Sequence, residues 1–117
     1  MSNILEVIQG YNVEVEAALE RFLNDKEMYL KYVTEFPEEP TMDRLNKAVA
    51  AEDYDEAEKA VHALKGILNN LGFITVADEA VDMLEELRDG EIETALEAYE
   101  GLTKEYDKIT AVIKENR

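Results

Sequence analysis

The sequence contains no cysteine, and its 117 residues include only two prolines and five glycines. Without cysteine, disulfide bonds and thiol chemistry are excluded, and we expect a protein of the cytoplasm, where disulfides are rare. The apolar stretches are only a few residues long, so none of them is expected to cross a bilayer. The first six residues have neither a basic region nor a long apolar run, so we expect no signal peptide.

Positive charge is also scarce. Twelve lysines and arginines stand against 28 aspartates and glutamates, which gives a formal net charge of −16. Such a chain repels nucleic-acid backbones and anionic membranes, so we expect it to bind neither. The acidity is typical of a soluble protein, with steering towards a basic partner as the alternative. The length suits one hydrophobic core, so we expect a single domain over residues 1–117.

The alternating apolar and polar runs that are typical of β-strands are missing. Apolar residues recur instead at three- and four-residue spacing, which predicts an all-α protein. We predict a short first helix over residues 2–9 and a second helix over residues 13–23, capped by Asn12. Asn24 is predicted to cap the next helix, with Glu27 three residues later to complete a capping box.

Two prolines, Pro37 and Pro40, interrupt this third helix. Each proline removes a backbone donor and crowds the preceding turn, so we predict a kink or break there. Asp53 with Glu56 marks the start of the following helix. Gly72 marks its end, since glycine is favoured just after the last helical turn.

The C-terminal half continues the same pattern. Thr75 with Asp78 predicts a cap for the next helix, Asp89-Gly90 predicts a tight turn, and the last helix is predicted from about Glu91. Four long helices with short connections favour an antiparallel four-helix bundle with a short extra N-terminal helix.

The single histidine, His62, lies in the middle of the helix that follows Asp53. Because helical residues advance by about 100° each, the apolar stripe and His62 face opposite ways. The predicted core stripe comprises Ala57, Ala60, Val61, Leu64, Leu68 and Leu71. The side of His62 is shared by Asp55, Glu58, Lys59, Lys65, Gly66 and Asn69. We therefore expect an imidazole that solvent and a partner protein can reach.

Lone surface histidines usually have no function, but the neighbours of His62 indicate one. Gly66 lies one turn after it, and glycine inside a helix costs about 1 kcal/mol relative to alanine. An exposed face gives no internal packing reason for a missing side chain, whereas a bare backbone lets another protein approach. The ammonium groups of Lys65 and Lys59, the only positive charges expected there, would stabilise a phosphoryl group. The alternative is that both lysines are ordinary solvated side chains.

This arrangement resembles that of a known family. The signature of histidine-containing phosphotransfer (HPt) domains is matched by His62-Ala63-Leu64-Lys65-Gly66 and the later Leu71-Gly72. The resemblance implies that His62 carries a phosphoryl group, that Lys65 stabilises it and that Gly66 gives clearance to the partner. We expect Glu58, Lys59 and Asn69 to contribute to the binding surface. Leu84 stands where the family often has glutamine or glutamate, which weakens the case for a polar partner of the imidazole from that helix.

The resemblance also implies a division of chemistry between this chain and its partners. The chain would be a phosphocarrier, not an enzyme, with no nucleotide or metal site of its own. Its partners would be response-regulator receiver domains, a sensor histidine kinase, or both, with magnesium held by the receiver. We expect a monomer from a bacterium. The alternative is a non-catalytic helical adaptor that binds a signalling protein without phosphorylation, whereas a di-iron bundle would need more than one histidine.

Overall fold

A computed structural model describes residues 3–117. Its seven α-helices are α1 (Ile4–Gln9), α2 (Val15–Arg21), α3 (Lys26–Glu35), α4 (Thr41–Ala50), α5 (Tyr54–Leu71), α6 (Ile74–Arg88) and α7 (Ile92–Asn116). A 3₁₀ helix, Phe36–Glu38, links α3 to α4. The described residues contain no strand, and their one β-bridge joins Val13 and Phe73. No helix in this range is long and apolar enough to cross a membrane.

Helices α4, α5, α6 and α7 form an antiparallel bundle, as predicted. In chain order, α4 packs on α5, α5 on α6 and α6 on α7, while α3 precedes α4 across the 3₁₀ turn. The short helices lie outside this bundle, α1 against α7 and α2 against α5. The break predicted at Pro37 and Pro40 is confirmed: Pro37 lies in the 3₁₀ helix, and Pro40 directly precedes α4.

The core is built from the predicted helical stripes. All six residues of the α5 stripe are buried, and they meet the apolar faces of the other helices in one cluster. Phe36 and Phe73 pack edge to face with ring centroids 5.0 Å apart. The buried hydroxyl of Tyr29 donates a hydrogen bond to the carbonyl oxygen of Leu71 at 2.8 Å, and its burial raises the pKa of Tyr29 to about 12. This bond fixes α3 beside the C-terminal end of α5.

The predicted caps of the N-terminal helices are wrong by one or two residues. Ser2, the predicted start of the first helix, lies outside the described residues, and α1 ends before Gly10 as predicted. Asn24 has a φ of +60°, and the cap of α3 is Asp25, whose side chain accepts a hydrogen bond from the Met28 amide at 3.1 Å. Asparagine tolerates the left-handed conformation that this tight connection needs, which leaves the cap to the aspartate.

The predicted caps Asn12 and Thr75 contact each other and cap no helix. Asn12 does not cap α2, which Glu14 precedes; its side-chain amide donates to the Thr75 hydroxyl at 3.0 Å. Thr75 lies inside α6 and not at its cap position, because α6 begins at Ile74. No side chain caps this helix. Long-range contact between the two segments replaced the local capping that the sequence pattern predicted.

Candidate functional site

The two ends of α5 position the candidate site. The carboxylate of Asp53 accepts a hydrogen bond from the Glu56 amide at 3.1 Å, which confirms the predicted start. Gly72 ends the helix with a φ of +80°, a left-handed conformation that costs glycine little. Between these ends, α5 runs for 18 residues with His62 halfway along. The imidazole is thus carried on a regular helix and not on a loop.

His62 is exposed, while residues 60, 61 and 64 beside it in sequence are buried. Within residues 3–117, its ring makes no hydrogen bond and no ion pair. The predicted orientation away from the core is therefore confirmed. An imidazole in this position keeps its nitrogen atoms accessible to an incoming group.

Gly66, one turn after His62, borders open space. A Cβ atom placed on Gly66 would meet nothing within 4 Å outside its own stretch of helix. No neighbouring helix therefore requires a glycine at this position. The absent side chain instead leaves a strip of bare helix backbone beside the imidazole.

Two ammonium groups flank His62 on the same face, one turn away in each direction. Lys59 is exposed, and Lys65 is partly buried. In the part of the chain that the structure describes, neither lysine forms an ion pair, although the charge of Lys59 helps to lower the pKa of Glu56. The larger cause of that shift is the hydrogen bond that Arg44 donates to Glu56. Lys65 is therefore available to an anionic group on His62.

Glu58 also lies on the face of His62, as predicted, but its carboxylate is already engaged. Arg88 at the end of α6 donates a hydrogen bond from Nε to Glu58 at 3.2 Å, and this ion pair connects α6 to α5. We expected Lys59 and Lys65 to be the only positive charges here. That expectation is wrong, because Arg88 brings a guanidinium to this edge of the face.

Asn69, two turns after His62, is exposed. Its backbone carbonyl oxygen accepts a hydrogen bond from Arg21 at the end of α2, with 2.5 Å between the atoms. Arg21 therefore adds a second unexpected cation, about 10 Å along the helix axis from His62. Neither arginine has a local sequence signal, because α2 and α6 approach α5 only through tertiary packing.

The other side chains near α5 offer little further chemistry. Leu84 on α6 is buried in the core. Among residues 3–117, no three histidine, aspartate or glutamate side chains are grouped so that they could hold a metal ion. The candidate site therefore consists of one nucleophile, its cations and the bare backbone at Gly66.

This geometry defines a class: a helical bundle that displays one histidine at the middle of an exposed helix face. The family model of the Hpt domain matches residues 27–112, from the start of α3 to near the end of α7. The chain belongs to the Hpt domain family, and the predicted resemblance is confirmed. The family has a histidine phosphotransfer role in phosphorelays and interacts with two-component signalling proteins. No curated protein and no solved structure shows a significant match to the chain.

Proposed function

We propose that His62 is the residue that carries the phosphoryl group, and that it exchanges this group with an aspartate of a response-regulator receiver domain in a bacterial cytoplasm. The observation that supports this proposal is the environment of the chain's one histidine. His62 is exposed at mid-helix, with the open backbone of Gly66 on one side and the unpaired ammonium of Lys65 on the other.

The transfer step requires no general base in this chain. A nitrogen atom of neutral imidazole attacks the phosphorus of the phosphoaspartate with its lone pair. The new N–P bond forms as the acyl-phosphate O–P bond breaks, and the aspartate carboxylate leaves with the electron pair. The reverse reaction returns the group to an aspartate.

The partner supplies the remaining catalytic groups. Phosphoryl transfer passes through a loose transition state that metal ions and fixed charges stabilise. In our proposal, the receiver domain holds the magnesium ion and the acidic pocket, and Lys65 of this chain stabilises the phosphoryl oxygens once they are on His62. Gly66 lets the receiver approach the imidazole closely enough for in-line attack.

A labelling experiment tests the assignment to His62. The purified protein is incubated with receiver domains that carry labelled phosphoaspartate, and the label on this chain is tested for acid lability and base stability, as phosphohistidine requires. We expect His62→Gln to keep the wild-type Tm and to take no label. Lys104→Gln, a change at an exposed site on α7, is the control and should be labelled as wild type.

Other results would contradict the proposal. Label that survives in His62→Gln would place the phosphoryl group on another residue. If the protein is a non-catalytic adaptor, the wild-type chain takes no label, and the His62→Gln variant binds the partner as well as the wild type does.

A further inference from the structure

The two edges of the His62 face differ in chemistry. One edge is polar and carries Lys65 and the Glu58–Arg88 ion pair. The other edge, around Asn70, borders apolar side chains of α3. There, Met28 and Tyr32 leave 46% and 50% of their surfaces exposed and lie side by side on the rim of one groove.

These exposed side chains border a groove between α3 and α5. The groove has a volume of about 240 Å³, and its walls include Phe22, Met28 and Tyr32 on one side and Ile67 and Asn70 of α5 on the other. The rings of Phe22 and Tyr32 lie 5.6 Å apart and stiffen its outer wall. The hydrogen bond from Tyr29 to Leu71 fixes α3 in place beneath it. The groove is therefore preformed and almost entirely apolar.

The groove is continuous with the surface around His62. With 100° per residue, Gly66, Asn70 and Ile67 follow one another around α5 from His62 towards α3. Asn70 and Ile67 lie only about 8–12 Å from His62 along the helix axis. A stable interface covers about 800 Å² per partner, which as a round patch has a radius of about 16 Å. An interface of this size centred on His62 therefore reaches the groove.

Charge around the groove restricts what can bind there. Beyond Tyr32, the surface continues into a hollow bordered by Glu35, Glu38 and Glu39. Glu38 pairs with Arg117, and Glu39 accepts hydrogen bonds from Thr41 at 2.9 Å. Glu35 is exposed and makes no ion pair within residues 3–117. An apolar group that enters the groove is thus favoured when a cation accompanies it.

We propose that the groove selects the partner: it binds a receiver-domain surface that places an apolar side chain against Tyr32 and Ile67 and a lysine or arginine against Glu35. This inference rests on the proposed function of His62. Buried apolar anchors dominate most protein interfaces, while charges at the rim mainly affect partner choice and association rate. Here the groove binds the apolar anchor, and Glu35 supplies the rim charge that affects partner choice and association rate.

Two phosphoryl donors separate docking from chemistry. Phosphoramidate is small and labels an accessible histidine directly, with loss of ammonia, whereas a phosphorylated receiver domain must dock first. We expect Tyr32→Asp to slow transfer from its receiver by about tenfold or more, the effect of losing one interface anchor. Labelling by phosphoramidate should equal that of wild type. If Tyr32→Asp does not fold, Tyr32→Ala allows the same comparison of the two donors, because alanine favours the helix.

Matched controls exclude a general surface effect. Tyr11 is 45% exposed, close to the value for Tyr32, but it lies by another pocket, which the segment after α1 forms with α6 and α7. Tyr11→Asp should leave transfer unchanged. Glu35→Lys should slow transfer and weaken its dependence on salt, whereas Glu97→Lys, an exposed reversal on α7, should have little effect.

Several results would overturn the inference. If Tyr32→Ala accepts phosphate from the receiver at the wild-type rate, or if Tyr11→Asp is equally slow, the groove is not the docking site, although His62 can still be the carrier. If sedimentation shows a dimer that Tyr32→Asp dissociates, the occupant is a second copy of this chain. If neither donor labels the wild-type protein, the proposed function fails as well.

Discussion

Helix α5 carries two glycines in opposite surroundings. Gly72, at its C-terminal end, has a φ of +80°, and a Cβ atom there would lie 2.6 Å from the backbone oxygen of Glu14. Gly66, in the middle of the exposed face, has no atom within 4 Å of its Cβ position outside its own stretch of helix. The fold requires a glycine at the first position and not at the second.

This difference separates the glycine that the fold requires from the glycine that we propose serves a partner. A glycine at Gly66 lowers helix stability by about 1 kcal/mol without any internal contact in return. In our proposal, its benefit comes from outside the chain, because a bare backbone lets another protein approach His62 closely. The comparison can be tested by giving each glycine the same methyl group.

The largest effect is expected for Gly72→Ala. The added methyl group disfavours the left-handed conformation and collides with backbone of the segment before α2, so we expect a loss of about 2–3 kcal/mol in the free energy of unfolding. For a domain of this size, thermal denaturation should show a Tm lower by about 10 °C.

Gly90→Ala is the matched control for that prediction. Gly90 has a φ of +75°, but its Cβ position is open. It should show only the conformational part of the loss, about 1 kcal/mol. Equal losses at the two positions would mean that the contact between Gly72 and Glu14 contributes nothing.

Gly66→Ala should raise the stability of the protein, in contrast to Gly72→Ala. We expect a gain of up to about 1 kcal/mol in the free energy of unfolding, because alanine favours the helix and the site has room. Transfer from a phosphorylated receiver should nevertheless slow, since the methyl group stands where the partner approaches. Direct labelling by phosphoramidate should be unchanged.

An alanine-to-glycine replacement on another helix measures how much a glycine lowers the stability of this protein. Ala111 is exposed within α7, and Ala111→Gly should lower the free energy of unfolding by about 1 kcal/mol. A Gly66→Ala protein that is more stable and still receives phosphate at the full rate would show that the bare backbone has no role in docking.

Local sequence signals predicted most of this arrangement. Asp53 and Gly72 set the ends of α5, and the 100° period placed His62 and Gly66 opposite the core. The periodicity did not place Arg21 or Arg88 near the site, because their positions depend on how α2 and α6 pack. The prediction of Asn24 as a cap failed for a related reason, since the tight turn between α2 and α3 determines which residue caps α3.

The polar edge of the His62 face can be tested by replacing Lys65. Because its ammonium is unpaired within residues 3–117, Lys65→Gln should shorten the lifetime of the phosphorylated protein by a few-fold, which corresponds to about 0.5–1 kcal/mol for a partly exposed charge pair. The decay of label on the isolated protein measures this directly. Lys104→Gln makes the same change of charge on α7, and an equal effect there would reduce the role of Lys65 to net charge.

The smallest effect is expected for Glu56. This residue lies in the first turn of α5, at the boundary between the exposed and buried faces of the helix. Arg44 donates a hydrogen bond to its carboxylate at 2.5 Å, and this bond is the main cause of a pKa below the usual value near 4.5. A lowered folded-state pKa stabilises the fold above the unfolded-state value, and the contribution is lost as the pH falls through the folded-state pKa. Glu56→Gln should therefore have a slightly lower Tm than wild type at pH 7, and the difference should shrink as the pH falls below the usual glutamate pKa and through the lowered folded-state pKa. Glu97→Gln changes the net charge equally without removing an ion pair, so a deficit of the same size and pH dependence in that variant would show that the Arg44 contact contributes nothing.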